Sequence, residues 1–236
     1  MIWTGHGTSW LRRKYSGVIL DQEYSQQRSA SAIMRIRGFQ EHFGGAMREL
    51  KYFVACTVDR FIAREDGSFD FFLAEGAHLT DLVKTYPETV PAHLREALGV
   101  RPAHHWVDTV LMGRKTYDVG LPFGVTSPYP HLQQYVFSRS MAETRSPDVS
   151  LVRSDPLEYV RRLKREPGRD IWLCGGGVLA AAVFSEIDEL ILKVNPVILG
   201  AGIPLFDGPV AEADLSLEEV KSYPNGFMLT RYRVRR

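Results

Sequence analysis

Long apolar runs are missing from this chain of 236 residues, and none approaches the roughly 20 residues that a membrane-spanning helix needs. Cysteine is scarce. The two residues, Cys56 and Cys174, both sit in apolar runs of strand type, which excludes a disulfide framework and points to buried thiols in a reducing compartment, the cytoplasm. An excess of one charge is also missing: 29 Lys and Arg face 28 Asp and Glu, so no overall field draws nucleic acid or an anionic membrane, and any anion site must be local. Histidine pairs at metal-ligand spacing are lacking as well. His104 and His105 are adjacent and cannot share a helical face, and His93 has no companion four residues on, so no metal centre is expected. Arg12-Arg13-Lys14 is not followed by the apolar stretch of a secretory signal.

What is present suits one α/β domain. The chain is 44% hydrophobic and 24% charged, enough for a single core of this size. Residues 1–46 stand apart, mixing Gly, Ser, Gln and Arg with little sustained period, and are expected to be an extension, disordered or preceding the natural start at Met47. A short helix from Ala30 to Phe43 is the competing reading. The domain proper is expected over residues 47–236.

The domain begins with Lys51 to Val58, a continuous apolar run read as a central strand covered on both faces. Asp59 to Ser68 leaves the sheet, with Asp66-Gly67 as a turn. Helical material follows between Phe69 and Ala97, and Pro91 opens a short helix through Leu98 as its first residue. Strands are expected at Thr109–Met112, Gln134–Phe137 and Val149–Val152. Asp155, Pro156 and Glu158 sign a helix start, and the basic residues toward that helix's end read as a solvated face. Glu189 to Gly200 reads as a strand pair or a bent strand interrupted at Pro196. Leu215–Ser222 and Phe227–Val234, joined through Pro224-Asn225-Gly226, form a hairpin at the sheet edge. The predicted architecture is a mixed, mostly parallel sheet flanked by helices with a C-terminal antiparallel hairpin.

Chemistry concentrates at strand ends. Asp170 to Cys174 stops at Gly175-Gly176-Gly177, after which Val178 opens an alanine-rich helical run. Successive glycines put no side chain between backbone and ligand, although a flexible loop has the same composition. Gly113-Arg114-Lys115-Thr116 and Ser138-Arg139-Ser140 close two other strands with positive charge and hydroxyls. Each cation taken alone reads equally as solvated surface charge. Together they predict a ligand with several phosphates lying across the carboxyl edge of the sheet.

These stretches, with Thr57 to Ala63 before them and Asn195 to Phe206 after, occur in an order that resembles the dihydrofolate reductase fold. The nearest likeness is to the bacterial branch grouped with the C-terminal reductase domain of riboflavin biosynthesis. The resemblance runs from about residue 50 to the end. It implies a soluble NADPH-dependent reductase, acting as a homodimer on a small heterocyclic or carbonyl substrate. It further implies that Ala55 and Ile62 lie against the nicotinamide, and that Gly113, Arg114, Lys115, Thr116, Gly175, Gly176, Gly177 and Val178 hold the pyrophosphate region. Ser138 and Arg139 then approach the adenosine 2′-phosphate, where a charge-assisted contact would separate NADPH from NADH.

The substrate side departs from the folate-reducing members. Gly67 to Leu73 stands where they carry a Trp-Pro loop and a pterin-binding acid. Asp70, flanked by aromatics, is the candidate proton donor if partial burial raises its pKa; capping a helix that begins at Phe71 is the other reading. Asp59 is read as a turn residue first and a catalytic residue second. Reduction of a ribosylamino-pyrimidine in the riboflavin pathway, or a nucleotide-binding module without turnover, are the alternatives to a reductase of another small substrate.

Overall fold

The first strand, β1 (Leu50–Cys56), sits in the middle of an eight-stranded sheet because nearly every residue along it is apolar and both its faces are covered. The computed structural model describes residues 47–100 and 105–236. The expected extension over residues 1–46, its alternative helix and His104 lie outside the described residues. In the chain's order the other elements are β2 (Phe61–Ala63), α1 (Ala77–Thr85), α2 (Ala92–Arg95), β3 (Val107–Gly113), α3 (Arg114–Asp118), β4 (Gln133–Phe137), β5 (Val149–Val152), α4 (Pro156–Arg165), β6 (Asp170–Gly175), α5 (Gly177–Ala182), β7 (Ile187–Val194), β8 (Ile203–Pro204), β9 (Leu215–Ser222) and β10 (Met228–Val234).

The sheet order is β5-β4-β3-β6-β1-β7-β10-β9. Pairings from β5 through β7 are parallel, and β10 returns antiparallel to β7 and β9. The expected mixed sheet with its C-terminal hairpin is therefore present. Alternation along β1 divides the core in two. Leu50, Tyr52, Val54 and Cys56 join α4 and α5 on one face, while Phe53 joins Trp172, Tyr86 and Tyr129 on the other. Both faces are tied by buried hydrogen bonds, Tyr52 Oη donating to the Leu205 carbonyl at 3.0 Å and Trp172 Nε1 to the Phe53 carbonyl at 3.1 Å.

Several local expectations need correction. Pro91 caps α2 rather than opening it, and the helix ends at Arg95 instead of Leu98. The run from Glu189 yields one strand, β7, which ends before Asn195-Pro196; the following residues loop to β8. β8 pairs with β2 in a separate two-stranded ribbon, so the segment after Asp59 contributes a strand of its own. On α4, Asp155 caps as expected, accepting from the Glu158 amide at 3.0 Å. Its basic end is not uniformly solvated, however. Lys164 is buried, with Nζ 2.7 Å from Asp188 Oδ2 and 3.0 Å from the Glu186 carbonyl. A long aliphatic stem can run over the core while its ammonium reaches acids on a neighbouring element.

Candidate functional site

β4, β3 and β6 are adjacent and parallel, so their carboxyl ends bring Ser138, Gly113 and Gly175 to one edge of the sheet. The glycines account for how closely the backbones approach there. A Cβ on Gly113 would stand 3.3 Å from the Gly176 amide nitrogen. Gly175 has a φ of 142°, and the peptide bond between Gly175 and Gly176 is cis. Side chains at Gly175 or Gly176 would meet Thr116 Oγ1 at 3.5 and 3.6 Å, and at Gly176 also Ile62 Cδ1 at 3.9 Å. Gly113, Gly175 and Gly176 thus bring their backbones close together beside Thr116 and Ile62, and none of the three glycines puts a side chain at this edge.

Gly177 has another function. A Cβ there would fall 2.4 Å from the Pro204 carbonyl oxygen and 2.9 Å from Asp207 Cβ, so its missing side chain lets α5 pack against the segment after β8. Val178, the next residue, is exposed. Lys115 is exposed too, and turns outward from the short α3.

Arg114 faces a groove of about 350 Å³ lined also by Asp118, Leu121, Ser140, Met141, Ala142, Glu143 and Arg145, two cations facing two acids. Its Nη1 donates to Ser140 Oγ at 3.0 Å, and its Nε lies 3.3 Å from Asp118 Oδ2. Both partners of that ion pair are well exposed, so it holds Arg114 by about 0.3 to 0.5 kcal/mol and leaves the guanidinium available to an anion. Ser138 Oγ accepts from the Met141 amide at 3.0 Å and shapes the turn, while Arg139 is exposed beside it. Neither lines the groove; Ser140 and Arg145 do. Arg145 stands in a loop more than thirty residues after β3, and its sequence surroundings gave no reason to single it out.

The two acid candidates are placed differently from what proton donation needs. Asp70 is not partly buried: its side chain is 61% exposed and ion-paired with Arg64. It caps no helix either, because Phe71 and Phe72 lie in a turn and α1 begins only at Ala77. Asp59 accepts from Thr57 Oγ1 at 2.6 Å and from the Gly200 amide at 2.7 Å, with the Leu199 amide at 3.1 Å. These donors, the Thr57 hydroxyl first, hold its carboxyl below the usual range. Asp59 therefore stays ionised at neutral pH and clamps the β1–β2 turn to the loop after β7.

On the opposite face from α4, the next-to-last residues of β6, β1 and β7, Cys174, Ala55 and Lys193, are each partly exposed. Ala55 and Lys193 are register partners, and Lys193 Nζ sits 4.3 Å from the centre of the Phe53 ring. Both cysteines are free, and Cys174 is less enclosed than expected, though burial still pushes its thiol up to about 11. Leu73 packs along the same face, its amide donating to Asn195 Oδ1 at 3.0 Å.

No helix among the described residues is long and apolar enough to cross a membrane. Comparison with known proteins agrees with the architecture. A sequence model of the RibD C-terminal domain matches residues 50–229. The uncharacterized protein YwjB of Bacillus subtilis strain 168 is 32% identical over 187 residues, covering 77% of this chain and 96% of YwjB. Two solved structures share the fold. One, a protein from Shewanella sp. PV-4 assigned to riboflavin biosynthesis, is 24% identical with a TM-score of 0.58, over 80% of this chain and 99% of that one. The other, a diaminohydroxyphosphoribosylaminopyrimidine deaminase/5-amino-6-(5-phosphoribosylamino)uracil reductase from Thermotoga maritima, is 14% identical with a TM-score of 0.53, over 80% and 57%. With its central parallel sheet, its glycine-lined edge and a match over most of its length, this chain belongs to the reductase-like RibD C-terminal domain family.

Proposed function

We propose that the chain is an NADPH-dependent reductase transferring a hydride to a small heterocyclic or carbonyl substrate. The observation that carries this reading is the close approach of the Gly113, Gly175 and Gly176 backbones beside Thr116 and Ile62 at the carboxyl edge of the sheet, where no side chain screens the backbone from a ligand. A pyrophosphate lying across this edge suits it: the glycine backbones can be approached without hindrance and Thr116 offers a hydroxyl. Lys115, Gly177 and Val178 border the same edge. Arg114 and Arg145, with Ser138 and Arg139 nearby, make the neighbouring groove suitable for the 2′-phosphate that distinguishes NADPH from NADH. Ala55 and Ile62 supply apolar surface for the nicotinamide. When bound, NADPH supplies the hydride, while the chain orients it and excludes water.

Fluorescence titration tests this directly. NADPH is expected to bind more tightly than NADH, and Arg114→Ala is expected to weaken NADPH by about 1.5 to 3 kcal/mol, roughly ten- to a hundred-fold in Kd, with little effect on NADH. Equal affinities for the two cofactors, or an unchanged Kd in the variant, would overturn the assignment. Binding without consumption of NADPH by any acceptor would instead indicate a module without turnover.

A second reading, reduction of a ribosylamino-pyrimidine in the riboflavin pathway, is favoured by the family match and by the activity named for the Thermotoga protein. NADPH consumption with 5-amino-6-(5-phosphoribosylamino)uracil decides between the readings. A cytoplasmic homodimer belongs to the same proposal; Leu217 and Val220, on the edge strand β9, are more than half exposed and offer apolar surface for a second copy. Sedimentation at twice the chain's mass is expected, and a monomer at micromolar concentration would refute the dimer.

A further inference from the structure

α1 and the turn of the β9–β10 hairpin meet at a buried histidine. His78, the second residue of α1, is 1% exposed, stacks on Phe227 with ring centres 4.2 Å apart, and meets Tyr223 edge-on at 5.9 Å. Its Nδ1 lies 3.1 Å from Asn225 Nδ2, while Nε2 is buried without a hydrogen-bond partner among the described residues. The other contacts of Asn225 fix its orientation: Oδ1 accepts from the Phe227 amide at 3.2 Å, and Nδ2 also points to the Glu75 carbonyl at 3.4 Å. Nδ1 of His78 must therefore accept, which requires the neutral ring with its proton on Nε2. Gly76 closes the joint, since a Cβ there would stand 2.7 Å from Asn225 Nδ2 and 3.0 Å from His78 Nδ1.

We infer that His78 is an acid-sensitive latch, whose protonation releases α1 from the hairpin and uncovers the sheet face beside Ala55. An imidazolium would turn Nδ1 into a donor facing the Asn225 donor, and would bury a charge at the positive end of a helix dipole. Burial lowers the pKa of His78 from its ordinary 6.5, and the Leu73 carbonyl opposes this only in part. Because the folded value is the lower one, docking is at full strength above about pH 6.5 and weakens as the pH falls toward the folded value. The neighbouring groups hold their charge across this range. Burial raises the pKa of Tyr223, and Asp81, which bonds Lys221 and Tyr223, is kept below the usual carboxylate range, first by Lys221. Glu75 and Lys84 are exposed, and Glu75 reaches the joint through its carbonyl alone. Leu73 and Leu82 carry the consequence to the sheet, packing on the core face that holds Phe53 and Tyr86. None of this depends on the reductase reading.

Hydrogen exchange of the full chain, corrected for the intrinsic rate at each pH, tests the latch. Protection of the α1 amides is expected to fall roughly tenfold between about pH 7.5 and about pH 5.5, whereas the amides of β3 and β4 keep theirs. His78→Asn retains an acceptor but takes up no proton, and His78→Phe retains the ring stack; each should remove the pH dependence. Carbon-13 shifts of the His78 ring in the unaltered chain give a readout that needs no variant, with the neutral ring protonated on Nε2 expected at about pH 7.5. An imidazolium or a ring protonated on Nδ1 at that pH, α1 protection that does not change with pH, equal losses throughout the sheet, or a pH dependence that survives in either folded variant would each overturn the inference.

Discussion

Replacing Glu189 by alanine is expected to destabilise the fold by about 3 to 5 kcal/mol, read as a lower urea midpoint with an unchanged slope. Glu189 lies on β7 and is 1% exposed. Its carboxylate stands 3.2 Å from Lys51 Nζ on β1 and 3.1 Å from Arg231 Nη1 on β10. Lys51 is itself only 13% exposed and also reaches Asp170 on β6 at 3.1 Å. Burial alone would lower the pKa of that ammonium, yet Glu189 and Asp170 together raise it. Removing Glu189 takes the most buried partner from two cations, and the penalty falls mainly on Lys51, which keeps Asp170 and Glu49, because Arg231 is more exposed and keeps Glu218 and Glu219. A double variant, Lys51→Met with Glu189→Leu, should recover part of the loss, because the buried ammonium goes with its partner while Arg231 keeps Glu218 and Glu219. A single-variant effect below about 1 kcal/mol would show that water reaches the site and compensates the charges.

The second large effect is expected at Gly177, where alanine should cost up to about 3 kcal/mol and valine more. Its neighbours are backbone and cannot swing aside: the Pro204 carbonyl would be 2.4 Å from the new Cβ, and the Asp207 amide, which donates to the Gly177 carbonyl at 3.1 Å, would be 3.1 Å away. Gly176→Ala provides the contrast. Its φ of −98° accepts an alanine, and the nearest atom to the added carbon is Thr116 Oγ1 at 3.6 Å. That variant should unfold at nearly the normal denaturant concentration and yet bind NADPH more weakly, because its methyl group would stand between the backbone and the proposed phosphate. If Gly177→Ala folds as stably as the original chain, the packing account is wrong; if Gly176→Ala binds NADPH unchanged, the cradle is.

Glycines 175 to 177 were legible as a strand-to-helix junction because strand, turn and helix signals there are all local. The Asp155 cap and the central position of β1 were legible for the same reason: hydrophobic pattern and capping chemistry act within a few residues. Pairing of β2 with β8 was not, since two short segments some 140 residues apart meet through long-range contacts, the Asp59 clamp on Leu199 and Gly200 and backbone bonds such as Leu205 to Arg60. Lys164 reads as surface until Asp188 is known to lie beneath it. Asp70 failed as an acid candidate because flanking aromatics predict burial only when they turn inward, and here Phe71 packs under the Arg64 guanidinium at the surface, 4.7 Å from ring centre to charge.

The position of β1 bears on how the protein is made. It is the first strand of the described domain, yet both its neighbours, β6 and β7, come more than a hundred residues later. Until β6 emerges from the ribosome, β1 has no partner on either side, and until β7 follows it lacks the second, so Ala55 and Lys193 cannot yet be neighbours. Contacts of such sequence separation slow folding and leave an apolar strand exposed in the meantime. A nascent chain truncated before Ile187 should therefore bind chaperone, and should acquire affinity for cofactor only after the last strands have been synthesised.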